Sequence, residues 1–270
     1  MYAFTYHRPK TLAEAAEQFG AGKDAAYVSG GHTLIPAMKS RLSAPSDLVD
    51  LSRLADLKGI QRDGEQLVIG AGETHAAVAA NPEVIDSIPA LAALAGSIGD
   101  VQVRYRGTMG GSVANNDPAA DYPAAVLALG ATVRTTQREI AAEDFFDGLY
   151  TTVLEPGEIV TSIAFPVPTE ASYAKMRNPA SRYALCAVFV ARFDDAVRVA
   201  ITGAGNDGVF RWTEAEDALS SDFSPKALES LQLDPAELLG DIHAEPAFRA
   251  RLAHVCTRRA LAAPGKLTLC

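Results

Sequence analysis

Two glycine-bearing segments built to one plan constrain this chain more than anything else in it. They are VSGGHTLIPAM, residues 28–38, and GTMGGSVANN, residues 107–116. Each has an apolar or aromatic segment, a Gly-Gly pair, a hydroxyl residue close by and a helix-like run. The stretch ahead of the second, PALAALAGSIG, is good helix material, so the glycines, asparagines and proline of RGTMGGSVANNDPAA mark a place where backbone shape outranks side-chain burial. Consecutive small residues let successive N–H groups turn inward as a nest, which holds phosphate without a positive side chain. Two facing nests would suit a pyrophosphate; a pair of ordinary tight turns is the other reading of the glycine pattern alone.

Around these loops the pattern begins as α/β. TLAEAAEQFG predicts a short helix with Thr11 and Glu14 as a capping box and Gly20 as its stop. AAYV, DLVDLS, QLVIG and ATVRTT predict strands, while IPALAALAGSIG and DYPAAVLALGA predict helices. GEIVTSIAFPVP predicts a strand closed by prolines, and Pro166 to Ser172 is the expected boundary between residues 1–168, with subdomains of about 1–57 and 58–168, and residues 169–270. Beyond it YALCAVFVARF and AVRVAITGAG predict two strands, or a helix and a strand, and TEAEDALSS and SPKALESLQL predict helices. AFRARLAHVCTRRALAA predicts an amphipathic helix with Leu252, Val255 and Cys256 on one face and its arginines on a solvated or interface flank.

Composition removes several functions. A net charge of −9 over 270 residues gives no support to a phosphate-tracking surface, so no nucleic-acid partner is expected. No window approaches the ~18 apolar residues of a membrane span, and MYAFTYHRPKTLAEAAEQFG lacks a signal-peptide core, so a cytoplasmic protein is expected. The three cysteines, Cys186, Cys256 and Cys270, lie far apart, which argues against a disulfide framework or a thiolate-ligated cluster. His32 and His75 sit beside threonines near glycine turns without any metal-ligand spacing, so no metal site is expected. Gly203, Gly205 and Gly208 match G-x-G-x-x-G in the text, but no second strand ending in an acidic residue follows, which favours a strand-to-helix turn. Asp117 and Asp121 could pair for acid/base work, bind sugar hydroxyls or cap the DYPAAVLALGA helix, and capping is the default.

Together, VSGGHTLIPAMKSRL and GTMGGSVANNDPAADYPAAVLALGA resemble the A-G-G-x-S-L-x-P-x-x-K-x-R and T-I-G-G-N-x-A-x-x-x-P-x-x-D segments of the FAD-binding medium subunits of molybdenum hydroxylases. This is the xanthine dehydrogenase and carbon monoxide dehydrogenase flavoprotein family. The similarity runs from FTYHRPKTLAEA through LEPGEIVTSIAFPVP to TRRAL. It implies an α+β fold of the vanillyl-alcohol oxidase (PCMH) type: two α/β subdomains gripping FAD, then a small C-terminal domain of antiparallel sheet and helices. It implies that Ser29, Gly30, Gly31, His32, Thr33 and Leu34 form the first pyrophosphate loop, and Thr108, Gly110, Gly111 and Ser112 the second. Asp121 would lie near sugar or ribityl hydroxyls, Val160 against the flavin or adenine, and Lys175 and Tyr183 near the isoalloxazine, unless these two are a surface lysine and a packed tyrosine. Ser112 stands where the family commonly has asparagine, and Ser29 where it has alanine.

The resemblance further implies an electron-transfer role within a dimer of heterotrimers. Electrons would pass from a small two-iron two-sulfur subunit through FAD to a terminal acceptor, and a large molybdopterin-binding subunit would hydroxylate the substrate. No residue of this chain would then be catalytic in hydroxylation. The alternatives are a free-standing FAD-dependent oxidoreductase on the same fold, an NAD(P) protein using Gly203 to Gly208, and a non-catalytic interaction module.

Overall fold

Local signals in the first fifty residues close a small parallel sheet. In the computed structural model, which describes residues 1–270, β1 (Thr5–His7), β2 (Ala25–Val28) and β3 (Asp47–Asp50) lie in the order β1-β3-β2, all parallel. The helices Leu12–Ala21 and Leu34–Lys39 make the connections. Thr11 Oγ1 accepts from the Glu14 N–H at 3.1 Å, but the Glu14 carboxylate accepts from Lys10 N at 2.7 Å, one residue ahead of the cap. The helix passes through Gly20, which has open space around it, and ends at Gly22, where a Cβ would stand 2.9 Å from that of Ala25.

The second sheet is antiparallel. Its strands are β4 (Ile60–Asp63), β5 (Gln66–Gly70), β6 (Thr132–Thr135), β7 (Glu139–Ala141) and β8 (Val160–Pro166), in the order β4-β5-β8-β6-β7. The central strand is therefore the last in sequence. The helices Pro89–Ser97 and Tyr122–Ala128 supply buried leucines, alanines and Val126 to the main core, which Leu67, Ile69, Val133 and Ile163 of this sheet also enter.

The third sheet contains β9 (Glu170–Arg177), β10 (Ala184–Arg192), β11 (Val197–Gly205), β12 (Gly208–Arg211) and β13 (Leu267–Leu269), in the order β12-β11-β10-β9-β13. All pairs are antiparallel except β13 with β9. YALCAVFVARF is a strand buried on both faces. Ala187, Phe189 and Ala191 join the main core, while Cys186, Val188 and Val190 pack in a second core with the helix Pro246–Leu261. A strand covered on both sides loses its alternation, which is why periodicity left helix open there.

Three expectations need correction. Gly205 pairs with Gly208 across Asn206 and Asp207, so the dinucleotide-like text is a β-hairpin turn. SPKALESLQL forms only the tight turn Pro225–Leu228, because Ser224 provides no side-chain cap and the bonds around it, from Ala227 N to Ser224 O and from Leu231 N to Leu228 O, span three residues and not four. Arg249 is not on a solvated flank: it is buried, donates to the carbonyls of Leu185 and Gly203, and pairs with Asp241 at 2.8 Å. No helix is long and apolar enough to cross a membrane.

Candidate cofactor cleft

The two glycine loops meet. Thr108 Oγ1 donates to Ser29 Oγ at 3.1 Å, and a Cβ on Gly30 would overlap the Arg106 carbonyl and lie 2.6 Å from Gly107 Cα. Gly30 is thus glycine because the other loop's backbone occupies the space a side chain needs. Gly31 has φ +73°, and the amides of Gly30, Gly31, His32 and Thr33 donate to no acceptor in the chain. Four adjacent N–H groups without protein partners at a cleft wall form a ready anion cradle.

The second loop works differently from the nest its glycines suggest. Its amides are already engaged: Met109 N with Glu73 O at 2.9 Å, Gly110 N with Ala71 O at 2.8 Å, Gly111 N with Thr108 Oγ1 at 3.2 Å, and Ser112 N with Thr108 O at 3.0 Å. Its glycines serve close approach instead, since a Cβ on Gly110 would overlap that of Ala71 and one on Gly107 would stand 2.6 Å from His75 Nε2. Thr108 caps the helix Met109–Asn115, and Asn116 ends it in the left-handed conformation, φ +44°. The buried Asn116 side chain then donates to Gly148 O and Thr151 O at 2.8 Å each, pinning the neighbouring turn.

Between the loops opens a cleft of about 840 Å³, within the ~300–1,000 Å³ usual for small-molecule sites. Residues 29–34, Thr108, Gly110, Gly111, Ser112, Asp121, Val160 and Tyr183 all line it, with Tyr183 half exposed at the rim. Lys175 does not. It lies buried on β9 behind the wall, its Nζ 2.7 Å from Asp121 Oδ1 in an ion pair that lacks hydrogen-bond geometry. The Tyr173 hydroxyl donates to the same oxygen, and burial together with the Asp121 charge pushes that phenol well above its ordinary range. Asp121 stands at the N-terminus of its helix but makes no capping bond, because the third sheet takes its carboxylate. Asp117 accepts from Ala119 N at 2.9 Å, and burial raises its pKa.

Two further lining residues escaped the sequence. His75, expected as a turn residue, is buried with Nδ1 unpartnered, and burial, aided by His32 and Arg104, lowers its pKa to about 4. It is therefore neutral near pH 7. Glu158 is buried yet ionised: burial opposes the charge, but hydrogen bonds from Arg138, the Glu155 N–H and Thr135 outweigh it and bring the pKa to about 2. Only the pairing of LEPGE with Arg138 twenty residues earlier would have revealed this, and that pairing is made by the sheet.

A folded pKa below the ordinary carboxylate value means that Glu158 stabilises the fold fully above pH ~4.5, with the contribution lost as pH falls toward 2. Glu158→Gln is expected to lower the melting temperature at pH 7, with the gap narrowing progressively as pH falls from about 4.5 toward 2. Thermal unfolding of both proteins across this range checks it; a gap independent of pH would refute the assignment.

Comparison with known proteins follows the same lines. Residues 2–168 match the family described as the FAD binding domain in molybdopterin dehydrogenase. Over 275 residues the chain is 35% identical to the carbon monoxide dehydrogenase medium chain of Afipia carboxidovorans, with 96% of each covered. Over 281 residues it is 32% identical to the nicotine 6-hydroxylase medium subunit of Paenarthrobacter nicotinovorans, covering 98% of this chain and 99% of the relative. A chain of the solved Cu,Mo-CO dehydrogenase, in its cyanide-inactivated form, superposes with a TM-score of 0.86 at 35% identity, with 96% of each covered. These matches bear out the fold class and the cofactor expected from the two loops. The chain belongs to the FAD-binding medium subunits of the molybdenum hydroxylases, a family of oxidoreductase components.

Proposed function

We propose that this chain is the electron-transfer flavoprotein subunit of a heteromeric molybdenum hydroxylase in the cytoplasm. Its partners are a large molybdopterin-binding subunit and a small two-iron two-sulfur subunit, assembled as a dimer of heterotrimers. Residues 1–168 form the cofactor-binding part and residues 169–270 the domain that closes it from behind. The observation that carries the reading is the junction of the two loops at the cleft, tied by Thr108 and Ser29 and leaving the Gly30 to Thr33 amides free. FAD, when bound, supplies the one- and two-electron chemistry that links metal clusters to a terminal acceptor.

The chain's own residues bind and bias. The amides of Gly30 to Thr33, with the Ser29 and Thr108 hydroxyls, hold the diphosphate, while Gly110, Gly111 and Ser112 form the opposite wall. Leu34 and Val160 give apolar contact, and Tyr183 covers the rim. Asp121 presents a carboxylate for sugar or ribityl hydroxyls, held in place by Lys175 and Tyr173. Lys175 behind it compensates the carboxylate, so Asp121 can face the cleft without an unpaired buried charge. Hydroxylation and cluster relay belong to the partner chains.

Purification through a tag on this chain tests the proposal. The expected result is a yellow complex of three different chains that releases FAD on denaturation. A chain that isolates alone and oxidises an organic substrate would establish a free-standing oxidoreductase instead, and a colourless preparation that takes up no FAD would defeat both readings.

A further inference from the structure

The third sheet gathers all of the chain's thiols. Cys186 lies on β10, Cys256 on the helix Pro246–Leu261, and Cys270 directly after β13. Cys186 and Cys256 are fully buried and Cys270 is partly exposed. The Cys256 and Cys270 sulfurs are 2.8 Å apart, thiol to thiol. What joins them is the return of the chain after the helix: β13 runs parallel to β9, Leu269 lies opposite Lys175, and the Cys270 N–H donates to Lys175 O at 2.9 Å. Sequence spacing argued against any bridge because it does not show that return.

We propose that Cys256 and Cys270 form a reversible disulfide, made by exchange with a low-molecular-weight disulfide, that staples β13 to the last helix. Cys270, the thiol open to solvent, attacks one sulfur of the small disulfide as a thiolate; the sulfur–sulfur bond breaks and one small thiol leaves. Cys256, having lost its proton, then attacks the Cys270 sulfur of the mixed disulfide, and the second small thiol leaves. The protein gives up two protons and two electrons, and the small disulfide takes them up as two thiols. Cys186 has no exposed sulfur to begin the exchange and stays reduced. Hydrogen bonding to Cys256 and burial push the Cys270 thiol up while Arg259 opposes them, so the exchange is slow, on the order of minutes to hours.

The experiment treats the purified full chain, in its complex, with oxidised glutathione for several hours, quenches with acid, denatures and alkylates. Three alkylatable thiols before treatment are expected to become one, located at Cys186, and the bridged chain is expected to unfold roughly 5 °C higher. Cys256→Ser is expected to stall with one glutathione on Cys270, whereas Cys270→Ser should keep both remaining thiols free. Three thiols surviving the treatment of the unsubstituted chain, or a bridge that includes Cys186, overturns the proposal.

Discussion

Gly30→Ala is expected to abolish FAD retention and to lower unfolding stability by about 2–4 kcal/mol. The added Cβ has nowhere to go, since it overlaps the Arg106 carbonyl and approaches Gly107 Cα to 2.6 Å. Both obstacles are backbone, so no rotamer change relieves them. The two loops must separate, which breaks the Thr108–Ser29 hydrogen bond and swings the free amides of residues 30–33 away from the opposite wall. Gly20→Ala is the matching control, because a Cβ there has open space around it, on the first helix and away from the cleft. Flavin-to-protein ratio after gel filtration, with denaturant unfolding of both variants, reads the contrast. Equal flavin content in the two proteins would show that loop contact is not what holds the cofactor.

The second large effect lies behind the cleft. Lys175→Met is expected to cost about 3–5 kcal/mol of stability, because it leaves the Asp121 carboxylate buried with only the Tyr173 hydroxyl to compensate its charge. The lysine is 1% exposed, so water cannot take over its role. Adding Asp121→Asn to that variant is expected to recover part of the loss, since no charge then remains to be buried. Denaturant melts of the two single variants and the double variant form the necessary cycle. If the double variant is no more stable than Lys175→Met, the two side chains are not coupled as the geometry indicates.

Much of this arrangement is legible in the sequence. The two loops, their order, the strand leading into the first and the helix ahead of the second come from residues whose signals are local: Gly pairs, a Thr11 cap, an alternating or apolar run. What was hidden depends on partners that folding brings from afar. Asp121 has the sequence position of a helix cap, yet its carboxylate serves Tyr173 and Lys175 more than fifty residues later. Gly110 and Gly111 look like a phosphate nest, but whether an amide is free depends on Ala71, Glu73 and Thr108 occupying the acceptor positions. His75 and Glu158 carry no pattern of their own, and their burial is decided by the loop and sheet that close over them. Arg249 shares its helix with solvated arginines and differs only in finding two carbonyls and Asp241 beneath it.

The placement of β8 has a consequence for how the chain is made. It pairs with both β5 and β6, so the middle of the second sheet stays open until residues 160–166 have been synthesised. The hairpins β4-β5 and β6-β7 are local and can form first, whereas their union must wait for a contact of long sequence separation. Ala71, which fixes Gly110, is itself held by the carbonyl of Thr161, just inside β8. A ribosome-bound chain that ends before this strand therefore has both glycine loops in hand but no frame to hold the second of them.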